Sequence, residues 1–428
     1  MALGGGTYSY TGDKSLPGSY INFSSKRIAT VAISSRGVAA VPVVLDWGTD
    51  GAVISVTKGQ AQKYCLKMFG YSYTAPEMKW MRDMFCNASK LLVYKINDGV
   101  KADSTLATAK YKGECGNNIS ILVSTNADDT SKFDVETYYG TKMVDTQTIT
   151  SADELEDNDY VTFKTTATLT ASATAIALSN GSTSELTGEE YSTFLEKIEP
   201  YNYSALACTS TTPSVIALFK AFEQRMRTEV GKKFQLVVYD TKADDYGIIS
   251  VKNSVDLVYW VTGAAASVSL SKSLTNTTYD GEYEISTDYT QAQLLDYLAD
   301  GQFVFHKVDD EYRVLDDINT LTSTSEDVSD DFKQNQTIRI IDQIAIDVAA
   351  AFNDKFLGKY RNTADGRAGL WNTIDNYLKE MEKAGAIESY DPDTLTVSAG
   401  DSKKDVVVEF VVNVVNCMSA LYMNVVVA

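Results

Sequence analysis

Residues 405–428 read DVVVEFVVNVVNCMSALYMNVVVA, and the organisation of the whole chain turns on them. Val406, Val408, Phe410, Val412 and Val414 share one parity, while Asp405, Glu409 and Asn413 fall on the other. A period of two with one apolar face predicts a β-strand. Asn416 to Ala420 breaks the pattern, and Leu421 to Val427 begins a second strand-like run. An apolar strand with no partner is an exposed edge and invites aggregation. This one must either complete the sheet of its own domain or add to the sheet of another copy.

Composition narrows the classes of function. At 428 residues the chain has room for two to four domains. With 44% hydrophobic and 22% charged residues, a folded chain is expected rather than a disordered one. No run of 18 apolar residues occurs, so no transmembrane helix is expected. The start, MALGGGTYSYTGDK, lacks the basic and apolar regions of a signal peptide. Five scattered cysteines with no CxxC point to reduced thiols in a cytosol. A net charge of −19 argues against binding nucleic acid, because neutralising phosphates needs a basic face.

Along the chain, residues 1–25 look like an extended arm, with Gly4-Gly5-Gly6, the turn sequence GDKSLPG and the β-prone piece Ser19, Tyr20, Ile21, Asn22, Phe23. GVAAVPVVLDW (37–47) reads as a buried strand, and Pro76 to Phe85 as a helix with an apolar stripe. From 99 to 188, Ser, Thr, Asp and Asn become dense, short alternating strands recur and helical periods vanish. This predicts a β-rich insertion, sandwich- or barrel-like. Strand and helix then alternate: 187–198, 205–208, 213–230, 234–239, 255–267. Such an order predicts an α/β middle domain, residues 26–98 and 189–330, with a largely parallel sheet. Phe303–Lys307 and Tyr312–Leu315 form a hairpin. Residues 331–420 make an α+β C-terminal domain. Its first helix, within 331–357, carries Ile338, Ile341, Ala345, Val348, Phe352 and Phe356 at steps of three and four, and its second, 365–384, turns in Leu370, Ile374, Tyr377, Leu378 and Met381. Residues 421–428 are the terminal arm strand. The expected class is thus multidomain α+β.

No catalytic, cofactor or metal site emerges. The one histidine, His306, sits in FVFHK facing away from Phe303 and Phe305, and every His-based triad or zinc site needs partners. Phosphate-cradling and nucleophile-elbow motifs are absent. Asp316-Asp317 and Asp330-Asp331 read as solvated turn residues rather than acid/base pairs.

The chain resembles the tail sheath proteins of contractile-tailed bacteriophages and R-type bacteriocins, particularly those of Gram-positive hosts. LPGSYINF (16–23), SSRGVAAVPVVLDWG (34–48), TAKYKGECGNNISI (108–121), YWVTGAAASVSLSKSLTNTTYDGE (259–282), NQTIRIIDQIAIDV (335–348) and FLGKYRNTADGR (356–367) carry the likeness, and MSALYMNVVV closes it. Only Leu178–Thr187 departs, where a more glycine-rich turn is usual. The resemblance implies a structural, non-enzymatic subunit without cofactors, whose middle domain is subtilisin-like in fold. It implies a helical homopolymer of six-fold rings around a tail tube, contracting to drive the tube through the target envelope. Ser19–Phe23 and Leu421, Tyr422, Met423, Asn424, Val425, Val426 and Val427 would be strands given to the C-terminal domains of neighbours. Lys359, Arg361, Arg367, Lys379 and Lys383 would face the tube. Partners would be the tube, baseplate and tail terminator proteins, with no nucleic acid and no membrane insertion, and assembly would occur in the bacterial cytoplasm before release on lysis. Rival readings are a tube or baseplate part, an α/β enzyme with an accessory domain, and a surface-layer protein.

Overall fold

A computed structural model describes residues 33–426. The expected N-arm strand Ser19–Phe23 and the last arm residue, Val427, lie outside the described residues. The chain opens with β1 (Val38–Val43), β2 (Val53–Thr57), α1 (Lys58–Phe69), α2 (Lys79–Asn87) and β3 (Lys90–Lys95). It returns after the insertion as α3 (Glu190–Ile198), β12 (Ala205–Ala207), α4 (Pro213–Arg225), β13 (Gln235–Tyr239), β14 (Ile248–Val251), α5 (Leu257–Ser267), α6 (Gln291–Ala299) and β15 (Gln302–Phe303). These strands form one seven-stranded sheet in the order β15-β14-β13-β12-β1-β3-β2, parallel except where β2 meets β3.

The apolar run at 37–47 is unbroken because β1 is covered on both faces. Ala39, Val41 and Val43 meet α2 and α5 on one side, and Ala40 meets α3 and α4 on the other. α5 reaches the sheet because its last turns are Gly263 and Ala264–Ala266. A Cβ on Gly263 would stand 2.4 Å from the Met84 carbonyl oxygen, so α2 and α5 touch backbone to backbone. The hairpin expected around Asp309 is present as β16 (Phe305–Val308) and β17 (Glu311–Val314). In it His306 faces Arg313, and burial together with that guanidinium lowers the imidazole pKa.

The insertion holds β4 (Gly99–Asp103), β5 (Ala107–Lys112), β6 (Ile119–Thr125), β7 (Phe133–Tyr139), β8 (Lys142–Ile149), β9 (Val161–Phe163), β10 (Ile176–Ala177) and β11 (Ser182–Thr183). Two four-stranded sheets, β10-β6-β7-β8 and β11-β4-β5-β9, close on one apolar core. Trp47, fully buried, enters that core from the chain after β1 and donates its indole N–H to the Lys67 carbonyl at 3.0 Å. It pins the insertion to the central sheet.

The C-terminal part holds α7 (Asn335–Lys355), α8 (Ala364–Lys383), β18 (Ile387–Glu388), β19 (Thr396–Ala399), β20 (Val406–Glu409) and β21 (Asn413–Val414). α8 buries Leu370, Ile374, Tyr377, Leu378 and Met381 as its spacing predicts. α7 does not follow its apolar stripe. Ile338 is buried, but Ile341 and Val348 are half-buried and Ala345 is exposed, whereas Arg339, Asp342, Gln343 and Asp347 are buried. The reason is a set of charge pairs with the middle of the chain. Arg227 forks onto both carboxylate oxygens of Asp342, each at 2.7 Å, and Arg339 holds Asp317 at 2.6 Å with both side chains wholly buried. Asp347 accepts from the Ser34 amide and from the Tyr377 hydroxyl at 2.9 Å.

Asp317 therefore corrects the solvated-turn reading of Asp316-Asp317. It accepts from the Leu274 amide and from Asn335 as well as from Arg339. Burial is the largest influence and opposes its ionisation, yet Arg339, the Leu274 amide and Asn335 together hold the carboxyl below its usual range. At the second pair, Asp330 is exposed and bridges only to Lys333, so the turn reading stands there.

Beside the Arg227–Asp342 fork, Glu223 is wholly buried and neither carboxyl oxygen has a hydrogen-bond partner. Burial, then nearby Asp245, pushes its pKa up to about 8, against the pull of Arg227, whose Nε stands 3.2 Å away. Asp342 and Lys233 are the other charges facing it. Between the ordinary glutamate value of 4.5 and about 8, the folded chain keeps a proton that the unfolded chain has released. Stability from this group is therefore full at low pH and falls as pH rises through that window. Glu223→Gln is expected to melt higher than the parent at pH 8, by roughly 1–3 kcal/mol of stability, and equally at pH 4.5. Thermal melts across pH 4.5–9 check this.

Candidate assembly surface

The stripe that α7 leaves open is the floor of a groove. Ile341, Ala345, Val348, Ala349 and Phe352 line it from α7, Leu370 and Ile374 from α8, and Val406, Val408, Phe410 and Val412 from the C-terminal run. Its volume is about 530 Å³. The alternation expected over 406–414 holds residue by residue: even positions are half-buried against this core and odd positions are exposed. It is not one continuous strand, however. β20 pairs antiparallel with β19, β21 pairs with β18, and Phe410–Val412 cross between them. The two partners are separate because the turn Pro392–Thr394 intervenes between β18 and β19. Among the described residues no strand lies on the other edge of β20.

Past this run the chain leaves the body. Leu421–Val426 belong to no sheet, and Leu421, Tyr422 and Val426 are 86%, 94% and 84% exposed. The second strand expected from 421 onward thus has no strand partner among the described residues. Leu421, Met423 and Val425 share one parity, with Tyr422, Asn424 and Val426 on the other. Burying such apolar side chains would stabilise by about 1.5–3 kcal/mol each, a gain that a single copy leaves unused.

The groove continues into a second depression of about 400 Å³ that shares Phe352, Leu370 and Val406 with it. Arg361, Arg367, Lys403 and Lys404 line this end. Arg367 donates to the Asn362 side chain at 2.8 Å, and Lys359, in the same turn, donates to the Asp354 carbonyl. Leu357 and Tyr360 stand exposed beside them. The structure thus gathers Lys359, Arg361 and Arg367 and sets Lys379 and Lys383 apart, paired with Asp375 at 2.8 Å and Glu380 at 2.6 Å. Lys403 and Lys404 were not singled out by sequence. Their signal was SKKD between two alternating runs, which places both lysines in the β19–β20 turn.

Chemistry elsewhere is sparse. Among the described residues no group of His, Cys, Asp and Glu is arranged to hold a metal. No described helix is long and apolar enough to cross a membrane.

Family models of phage tail sheath proteins match along the chain. The N-terminal region of domain III of tail sheath protein Gp18 matches residues 36–96, the β-sandwich domain 95–183, the central domain 184–320 and the C-terminal domain 327–428. The sheath tail protein of Desulfitobacterium hafniense superposes with a TM-score of 0.84 at 34% identity, over 94% of this chain and 98% of its own. The phage-like element PBSX protein XkdK of Bacillus subtilis is 29% identical over 99% of both chains. The contracted helical sheath of the anti-feeding prophage shares the fold, with a TM-score of 0.57 at 13% identity over 96% of this chain and 99% of its own. The chain belongs to the phage tail sheath protein family.

Proposed function

We propose that this chain is the sheath subunit of a contractile injection machine, polymerising as stacked six-fold rings around a tail tube and contracting to drive the tube through an envelope. One observation carries the reading: the described residues leave open an apolar groove beside an unpaired strand edge, and among them the apolar segment 421–426 has no strand partner. Each deficit is filled by a second copy. Leu421–Val427 of one subunit, and Ser19–Phe23 from the other arm, add as strands to the C-terminal part of a neighbour. The central parallel sheet is the part we read as subtilisin-like. In the separate β16–β17 hairpin, His306 faces Arg313.

The strength of each contact suits a sheath. About four aliphatic side chains per arm give roughly 6–12 kcal/mol gross. Ordering about six residues costs roughly 1–2 kcal/mol apiece. The small remainder becomes firm only when both arms of many copies act together. The basic end of the groove, Arg361, Arg367, Lys403 and Lys404 with exposed Tyr360, is the surface we assign to the tube, with Lys359 in the same turn. Polar contacts of this kind can break and re-form as subunits move. Baseplate and terminator proteins would cap the polymer's ends.

Removal of Leu421–Ala428 is expected to leave the melting temperature within about 2 °C and to abolish polymerisation, read by sedimentation and negative-stain microscopy; normal tubes from the truncated chain would refute the reading. Val348→Asp, at a half-buried groove position, is expected to cost the monomer under about 1 kcal/mol while raising the concentration needed for assembly at least tenfold. Reversing Lys403 and Lys404 to Glu should reduce co-sedimentation with tubes and spare sheath–sheath assembly. Reversing the acid-paired Lys379 and Lys383 should do less, and equal effects would remove the assignment of the basic end.

A further inference from the structure

The arm does not come loose where its sequence pattern breaks. Asn416 and Cys417 fall in the stretch after the alternating run, yet both are held. The Cys417 amide donates to the Gln336 side-chain oxygen at 2.9 Å, and the Asn416 amide donates to the Thr337 hydroxyl at 3.0 Å. The Cys417 thiol points to the Ser271 carbonyl at 3.5 Å. Gln336 and Thr337 are each 3% exposed, in the first turn of α7. The other end of the Gln336 amide donates to the Leu270 carbonyl at 3.0 Å, just beyond α5. The grip therefore reaches from the arm root through α7 to the middle of the chain. One residue later it is gone, since Met418 is wholly exposed.

A buried glutamine whose two amide atoms are both committed is a costly fitting, because losing either bond strands a desolvated group. One of its bonds, with that of Thr337, fixes where residues 416–417 lie, and the other ties the same turn of α7 to Leu270. We propose that Gln336 and Thr337 are positioning residues that clamp the root of the C-terminal arm, so that the arm leaves from a fixed point and pivots only at Met418–Ala420. This inference rests on the arm being donated to a neighbour, and it adds how the neighbour is selected. With the root fixed, residues 418–426 span at most about 30 Å. The groove that receives the arm must therefore lie within that distance of the root. A root free from Asn416 onward would sweep a wider cone and accept mispaired neighbours. The clamp also lies on the same helix as the groove. A subunit that turns during contraction therefore carries the origin of its own arm and its acceptor floor together.

The test uses the full chain with four variants. Gln336→Leu removes the buried half of the clamp. Asn416→Ala removes a bond from an exposed position, where misfolding is not at issue. Thr337→Ser keeps the hydroxyl and serves as rescue, and deletion of 418–428 removes the arm. The clamp predicts that Gln336→Leu and Asn416→Ala raise the concentration for sheath formation at least tenfold and yield irregular polymers, with the melting temperature of Asn416→Ala near the parent's. Hydrogen exchange at the Cys417 amide should accelerate at least tenfold in Gln336→Leu, and Thr337→Ser should behave as the parent. Parent-like assembly by both Gln336→Leu and Asn416→Ala, with the deletion unable to assemble, would overturn the clamp and leave arm donation standing. Parent-like assembly by the deletion would overturn both.

Discussion

Which face of α7 the chain buries is decided by two guanidinium–carboxylate pairs. Hydrophobic periodicity would turn Ile341, Ala345 and Val348 inward. Arg339 with Asp317 and Arg227 with Asp342 turn the opposite face inward instead. Desolvating four charges is expensive, and an apolar replacement of the same shape is often as stable. What the pairs provide is placement. A forked arginine on a carboxylate fixes distance and angle in a way that aliphatic contact does not. The consequence is mechanical: α7 is tied to the segments carrying Asp317 and Arg227, and its apolar stripe is left over for another molecule.

That leftover stripe explains features that otherwise look like faults. An exposed alanine and half-buried valine and isoleucine beside an unpaired strand edge would be an aggregation hazard in a free-standing monomer. An arm with Leu421 and Tyr422 almost wholly exposed would be another. The two defects are complementary in chemistry, an apolar floor with a free backbone edge and an apolar strand with free backbone groups. The net charge of −19 works on the other side of this balance. It keeps chains apart and soluble before assembly, and it sets specific contacts against a general repulsion, so stray hydrophobic encounters are short-lived.

Much of the fold was legible. The run GVAAVPVVLDW gave a buried strand because a parallel strand is covered on both faces, and the alternation of strand and helix after 187 gave the parallel sheet. The loss of helical period across 99–188 marked the insertion, whose strands run from Gly99 to Thr183. The spacing left the orientation of α7 undecided, and the solvated-turn reading of Asp317 failed. Both have one cause: periodicity counts apolar residues and cannot see that Asp317 and Arg227, distant in sequence from α7, meet its Arg339 and Asp342 in buried ion pairs. In the assembly surface, the parity of 406–414 was readable, but its division between β18 and β19 was not, because pairing depends on a turn at 392–394 that belongs to another segment. Lys403 and Lys404 escaped notice for a similar reason. They matter only once the β19–β20 turn is folded against the helix turn at 358–362.

If the chain serves as proposed, in a cylinder that holds and then shortens, its bonds face opposing demands. Contacts inside each subunit should survive the change, and contacts between subunits should permit it. The structure separates the two by chemistry. Inside, buried ion pairs with defined geometry join α7 to the middle of the chain, and the wholly buried Trp47 pins the insertion to the central sheet. Outside, the available contacts are backbone edges, an apolar groove and a basic rim, each weak alone and tolerant of rotation about a short linker. Strengthening the outer set, for instance by enlarging the apolar face of the arm, would favour assembly but would also deepen the well from which contraction must start. The near balance between burial and ordering in the arm is therefore a constraint the sequence has to keep, not an inefficiency.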